Sequence, residues 1–223
     1  MNASIVHLMA ESVKRDLRGQ RRADTEARLV KAATELFAER GYAATTLVDV
    51  AARAGLATRT VYVRFATKAD LLWRCFGVAI AGDAEPVAVP DRDWMVAAMS
   101  APTLDERLTL MAAVTASLMD RAGPLLEVVQ QAATSEPTIA AAVTAARGDT
   151  TRTLHEFWRR NADDGLLPGG CDLRWLTDTA TLLVQVETYL LLTKINAWDV
   201  PTYQAWLELT WRRIVRSSAG ALM

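Results

Sequence analysis

This sequence predicts an all-α chain of two parts, a three-helix N-terminal head and a C-terminal helical bundle. Three observations carry that prediction. Apolar residues recur at helical spacing almost throughout, and no alternating run long enough for a strand interrupts them. Of the 223 residues, 51% are hydrophobic, enough for a sizeable core in one or two domains. Charge is divided along the chain: Met1–Cys75 carries 13 Lys and Arg against 8 Asp and Glu, a net of +5, while the remaining 148 residues carry 12 against 18, a net of −6. A basic end suits a polyanionic partner, although scatter of surface charge explains the split equally well until a motif is found.

The first element is ambiguous. Ile5, Leu8, Met9, Val13 and Leu17 fall at helical spacing, so residues 1–22 read as a short amphipathic helix or as a basic arm. In the second case Arg18, Arg21 and Arg22 would lie along a phosphate or a minor groove; a solvated tail is the competing reading. Helix 1 follows from about Asp24 to Arg40, with Leu29, Val30, Ala33, Leu36 and Phe37 on its buried face and Gly41 to stop it.

The next segment, Gly41 to Leu72, spells two short amphipathic helices joined by a glycine turn. In Thr46–Ala54 the residues Leu47, Val50, Ala51 and Ala54 form one buried stripe, and Gly55 ends the helix because it takes a left-handed backbone without steric cost. A second short helix, about Thr58 to Phe65, buries Val61 and Phe65 and turns Thr58, Arg59, Thr60, Val63 and Arg64 outward. Two helices joined by so short a turn make a helix-turn-helix, whose second helix enters the major groove. Its outward residues fit that use. Arg59 and Arg64 offer bidentate donors to guanine or phosphate, Thr58 and Thr60 offer hydroxyls, and Tyr62 can set its hydroxyl on a phosphate. Lys68 stands beside a helix N-terminus, a place that attracts phosphate. Thr46 with Asp49, and Thr67 with Asp70, each read as an N-cap with an acidic residue three positions on. The expected DNA contacts are Thr45, Thr46, Thr58, Arg59, Thr60, Tyr62, Arg64 and Lys68.

Gly41, Tyr42, Thr45, Thr46, Ala54, Gly55, Thr60, Tyr62, Phe65, Lys68, Asp70 and Leu71 together resemble, in register, the DNA-binding domain of the TetR/AcrR transcriptional regulators. Two positions depart from that pattern. Ala57 stands where the family usually has a capping Ser or Thr, a loss of roughly 1 kcal/mol unless Thr58 takes over the cap. Arg64 stands where the family often has His, and adds a permanent charge at the groove. The resemblance implies a TetR-type head over residues 23–81 (motif about 46–65) and a ligand-binding and dimerisation domain over 82–223. It further implies a homodimer reading palindromic half-sites in double-stranded DNA, and a small-molecule effector that releases a repressor from its operator.

Beyond helix 4, Thr67 to about Ala81, a loop over Gly82–Asp93 is expected to mark the domain boundary. Helices then follow at about Leu104–Arg121, Pro124–Thr134 and Pro137–Ala162, with Pro124 and Pro137 as first helical residues. Asp163–Gly170 is a connector, and two long helices, about Asp172–Asn196 and Pro201–Ser217, close the chain. The first of these is apolar over more than one face and needs cover on two sides, which a second subunit can supply. Leu183, Leu190, Leu191, Tyr203 and Trp206 are the candidate dimer residues, with burial in the subunit's own core as the competing role. Trp94, Met111, Phe157, Trp158 and Tyr189 are candidates for the walls of the effector pocket that the resemblance implies, together with Met95, Met99, Met119 and Trp175. His155 and Arg147 could orient a polar effector if they face inward.

Other functions find little support. His7 and His155 are the only histidines, no nucleophile–His–acid or paired-carboxylate arrangement stands out, and no catalysis, metal or cofactor is expected. Cys75 and Cys171 are far apart and read as reduced thiols of a cytoplasmic protein. No 18-residue apolar stretch or signal-peptide order is present, so neither membrane insertion nor export is expected. The alternative class is an all-α small-molecule-binding protein or enzyme without specific DNA binding, and duplex retention separates the two.

Overall fold

In the computed structural model, which describes residues 3–218 apart from residue 86 and side chains from Gly19 onward, the chain is all-α and no described residue lies in a strand. Helix α1 (Ala3–Arg40) is one continuous helix, where a separate arm or short helix ahead of Asp24 was the expectation. The side chains of Ile5, Leu8, Met9, Val13, Leu17 and Arg18 lie outside the described ones. Leu29, Ala33, Leu36 and Phe37 are at most 1% exposed, and Gly41 ends the helix at φ 74°.

The head is completed by α2 (Leu47–Ala54), α3 (Thr58–Arg64) and α4 (Lys68–Ala81). Both predicted capping boxes are present: Asp49 N and Thr46 N bond reciprocally with each other's side chains, as do Asp70 and Thr67. Ala57 is the N-cap of α3 without a side-chain bond, and Thr58 is already helical, so it does not take over the cap. The apolar core around Leu36, Phe37, Val50, Val61, Leu71 and Leu72 does not end with these four helices. Leu125, Val128, Val129, Ala132 and Ile139, from far along the chain, belong to the same cluster.

Those residues come from α6 (Leu104–Ala133) and the start of α7 (Pro137–Asp163). The sequence suggested two helices separated before Pro124; the structure has one, with Pro124 inside it. An interior proline costs roughly 3 kcal/mol or more. Burial of Leu125, Leu126, Val128 and Val129 on both sides of the seam offsets that, at roughly 1.5–3 kcal/mol for each such side chain. Ahead of α6 lies a helix that the sequence reading passed over, α5 (Asp93–Ser100), preceded by a 3-10 turn at Val89–Asp91. Met95, Ala98 and Met99 bury its inner face. Arg92 closes the intervening loop with a two-point ion pair to Asp83, at 2.6 and 2.9 Å.

The segment from Asp172 to Asn196, expected as one long helix, is not continuous. It is broken into α8 (Leu173–Leu183), α9 (Val186–Leu190) and a π-turn at Leu191–Ile195. Gln185 is extended (φ −68°, ψ 150°), and the carbonyls released at the break are partly recovered: Gln185 Nε2 donates to Thr181 O and Thr188 Oγ1 to Leu182 O. Helix α10 (Val200–Ser218) follows nearly as predicted. Its Tyr203, Leu207 and Trp211 are fully buried, in one core with Leu108, Met111, Phe157, Trp158, Leu176 and Tyr189. Tyr203 packs edge-on against Tyr189, with ring centres 5.0 Å apart.

Candidate nucleic-acid interface

Helix α1 is the spine to which every part of the helix-turn-helix is fastened. Thr45 Oγ1 donates to the carbonyls of Gly41 (2.8 Å) and Leu36 (3.2 Å). Arg53 on α2 pairs with Glu35 and Glu39 of α1, and its guanidinium holds the Glu39 carboxyl below the ordinary range. Arg28 Nη2 donates to Ala54 O at 2.7 Å and Gly55 O at 3.2 Å, across the turn between the two motif helices. Gly55 has φ 63°, and a Cβ there would come within 3.3 Å of the Arg28 guanidinium. A side chain at that position would be strained by its backbone, and the Arg28 guanidinium would have to give way slightly.

On this mount α3 is held by Val61 (0% exposed) and Phe65 (7%), and it presents Tyr62 (55%), Val63 (74%) and Arg59 to solvent. Thr58 and Thr60 are half-buried beside them, and Thr46 is exposed at the N-cap of α2. A short helix anchored on one face and bare on the other has the form of a recognition helix. Alongside it runs an open groove of about 460 Å³, lined by Arg21, Arg22 and Thr25 of α1 and Thr60, Val63 and Arg64 of α3. Thr25, which sequence reasoning passed over, is visible only in three dimensions; the signal for its neighbours is the arginine cluster at positions 18–22.

Three expected DNA contacts are placed elsewhere. Thr45 is fully buried and serves the α1–α2 turn, because two inward carbonyls need a donor there. Lys68 Nζ donates to Tyr42 O at 2.8 Å and sits 4.1 Å above the centre of the Tyr42 ring. That burial lowers its pKa, and the ammonium braces the turn rather than facing a phosphate. Arg64 folds back onto α1, donating to Arg22 O at 2.7 Å with Glu26 at 4.0 Å. Glu26 in turn accepts from Arg74 Nε at 2.8 Å. The permanent charge of Arg64 therefore lies along the α1–α3 groove instead of on the exposed face of α3.

In the bundle, Met111, Phe157, Trp158 and Tyr189 are buried in the core and Trp94 lies half-buried at its edge. His155 and Arg147 do not face inward: both are exposed, His155 Nδ1 lies 3.5 Å from Thr177 Oγ1, and Arg147 pairs with Glu187. Of the dimer candidates, Tyr203 is fully buried in its own subunit, which removes it from any interface. Leu183, Leu190 and Trp206 are half-buried, and Leu191 is 53% exposed, as are Ile195 (75%) and Leu182 (68%), which were not among the candidates. No helix of the described residues is long and apolar enough to cross a membrane.

A head of helices α1–α4 with a bare recognition helix, joined to an all-α bundle, has the architecture of a helix-turn-helix protein. Residues 29–75 match the model for bacterial regulatory proteins of the tetR family. The whole fold is similar to a TetR-family regulator of Mesorhizobium loti, at 18% identity, TM-score 0.68, covering 88% of this chain and 98% of that one. It is likewise similar to MexZ, a repressor responsible for antibiotic resistance in Pseudomonas aeruginosa (17%, TM-score 0.62, 90% and 97% covered). A third similar structure is SmeT in complex with triclosan (18%, TM-score 0.65, 84% and 90% covered). No curated protein sequence matches the chain. The head therefore resembles that of the tetR-family regulators over residues 29–75, and the fold of the whole is similar to theirs.

Proposed function

We propose that the protein is a homodimeric, cytoplasmic, non-enzymatic repressor that holds a palindromic operator in double-stranded DNA and is released by a small molecule bound in the C-terminal bundle. The observation that carries the DNA reading is the bare outer face of α3, with Arg59, Tyr62 and Val63 exposed beside a groove walled by Arg21 and Arg22. Arg59, Thr58 and Thr60 are assigned to base edges and phosphates, Tyr62 and Thr46 to phosphates, and Arg21 and Arg22 to the flanking backbone.

Two-fold symmetry follows from half-sites spaced about 34–36 Å apart, one helical turn of DNA. Support for a dimer comes from the exposed apolar residues Leu182, Leu191, Ile195 and Leu209 on α8, the π-turn and α10, with Leu183, Leu190 and Trp206 at their margin. Large apolar side chains left exposed on elements that pack against each other favour burial by a second copy. The effector reading rests on similarity to the triclosan-bound SmeT. It also rests on the indole N–H groups of Trp158 and Trp211 and on Asn161 Oδ1, buried in the bundle without partners among the described residues. Orphaned polar atoms among apolar walls such as Met111, Phe157 and Tyr189, with Trp94 at the edge, are what a bound polar group would satisfy. An effector shifts the head spacing only by binding one conformer more tightly than the other.

The test is selection of bound duplexes from genomic DNA, followed by anisotropy titration at several salt concentrations. Wild type should bind with a steep salt dependence, and Arg59→Ala and Tyr62→Ala should each weaken binding about tenfold, the worth of a good base or phosphate contact. A binding curve unchanged by either substitution would overturn the DNA reading. Sedimentation of wild type and Ile195→Glu tests the dimer separately.

A further inference from the structure

We infer that the protein has a second ligand site, at the seam between head and bundle, that takes a small organic carboxylate. The site is a cleft of about 470 Å³, within the size range of pockets for small ligands. Three elements far apart in sequence wall it: the end of α1 with Phe37, Ala38, Arg40 and Gly41, the stretch of α6 from Gly123 to Gln131, and Lys194 of the π-turn.

The cleft is roomy because two glycines border it. A Cβ added at Gly41 or at Gly123 would meet nothing within 4 Å. Its chemistry is set by two cations and one anion. Lys194 Nζ lies 3.9 Å from Glu127 Oε1, too long for a hydrogen bond, so its donors remain available. Arg40 makes no ion pair and the Gln131 amide no hydrogen bond among the described residues, and both face the same space. An ammonium, a guanidinium fork and an amide donor recognise a single carboxylate, while Pro124, Val128 and Ala38 give its apolar body a wall.

The cleft is separate from the recognition helix. The recognition helix touches α1 at Arg22, and Arg40 lies ~27 Å further along the same helix at 1.5 Å per residue. Nor is this the interior of the bundle, since none of the wall residues belongs to the core around Trp158 and Tyr203. A ligand here touches α1 of the head and α6 and the π-turn of the bundle at once, so its affinity depends on how the two are set against each other.

Benzoate and octanoate, titrated into the full chain by calorimetry with benzylamine as the cationic control, test the site. At least one carboxylate should bind saturably and benzylamine should not. Lys194→Gln and Arg40→Gln should each weaken that binding by about tenfold or more, the loss of one charge-assisted hydrogen bond. Gly123→Phe, which fills the cleft, should abolish it with helix content unchanged by circular dichroism. Absence of carboxylate binding, or binding that survives both Lys194→Gln and Arg40→Gln, overturns the inference. Duplex binding by the same preparations is read separately, so failure here leaves the operator reading standing.

Discussion

The hydroxyl of Tyr42 donates to Glu136 Oε1 at 3.0 Å, although the two residues are 94 positions apart. Tyr42 opens the turn after α1, and Glu136 caps α7, so one bond ties the DNA head to the bundle. The same tyrosine accepts from Lys68 through its carbonyl and carries the Lys68 ammonium over its ring. Three elements thus converge on one side chain at the seam where the two parts share a core. Movement of α7 relative to the head has to stretch this contact.

Tyr42→Phe keeps the ring under Lys68 and removes only the hydroxyl. A hydrogen bond to a charged acceptor contributes roughly 1.5–3 kcal/mol, and partial exposure brings the expected loss to about 1 kcal/mol. A double-mutant cycle with Glu136→Ala in urea unfolding isolates the pair. Strict additivity of the two substitutions would mean that the contact carries no coupling.

Thr45 separates support of the motif from contact with DNA. Thr45→Val keeps the shape but strips the donor from the buried Leu36 and Gly41 carbonyls, a cost of about 1–3 kcal/mol. The melting temperature should fall, while base preference in a duplex competition stays that of wild type. A changed base preference at preserved stability would place Thr45 at the groove after all.

These placements mark how far the sequence was legible. The capping boxes at Thr46 and Thr67, and the glycine stop at Gly55, are local events among neighbouring residues, and they are read off directly. Thr45, Lys68 and Arg64 are polar residues in the right segment, yet their directions are set by α1, which the local pattern does not contain. Pro124 looks like a helix start because its local cost is high, and only the apolar surface buried on both sides explains why α6 runs through it. The break at Val184–Gln185 leaves no trace in the apolar spacing, since both halves keep a buried face. Trp158 and Met111 look alike as pocket wall and as core, and composition does not distinguish them.

Glu26 holds Arg64 and Arg74 together against α1. Glu26→Gln removes a negative charge beside the groove and loosens the hold on Arg64, so both changes favour a polyanion. Affinity for non-specific duplex should rise severalfold and its salt dependence should steepen, by about one unit if one further phosphate is neutralised. Unchanged slopes in an anisotropy series would show that Arg64 stays folded against Arg22.

Cys75, packed between α1 and α4, gives the fold a basic limit. Burial pushes its thiol up from 9.0 to about 12. A raised folded pKa means that the neutral thiol is favoured in the folded state, so this contribution is complete below pH 9 and is lost as pH rises through about 12. Cys75→Ala should be less stable at pH 8 because of the cavity, but its urea midpoint should fall less steeply than that of wild type between pH 9 and 12. Parallel curves would show that Cys75 does not ionise on unfolding in that range.

Ala57 leaves the recognition helix uncapped at its N-terminus, with Thr60 N bonded only to the Ala57 carbonyl. Its backbone is already extended, φ −67° and ψ 139°, the conformation in which a serine hydroxyl accepts from the second or third helical N–H. Ala57→Ser should therefore stabilise α3 by about 1 kcal/mol without moving the backbone. Ordering that helix before encounter lowers the entropic cost of docking, so operator affinity should rise together with the protection of the α3 amides in hydrogen exchange. Greater protection without tighter binding would show that α3 already docks fully formed, and that the missing cap affects stability alone.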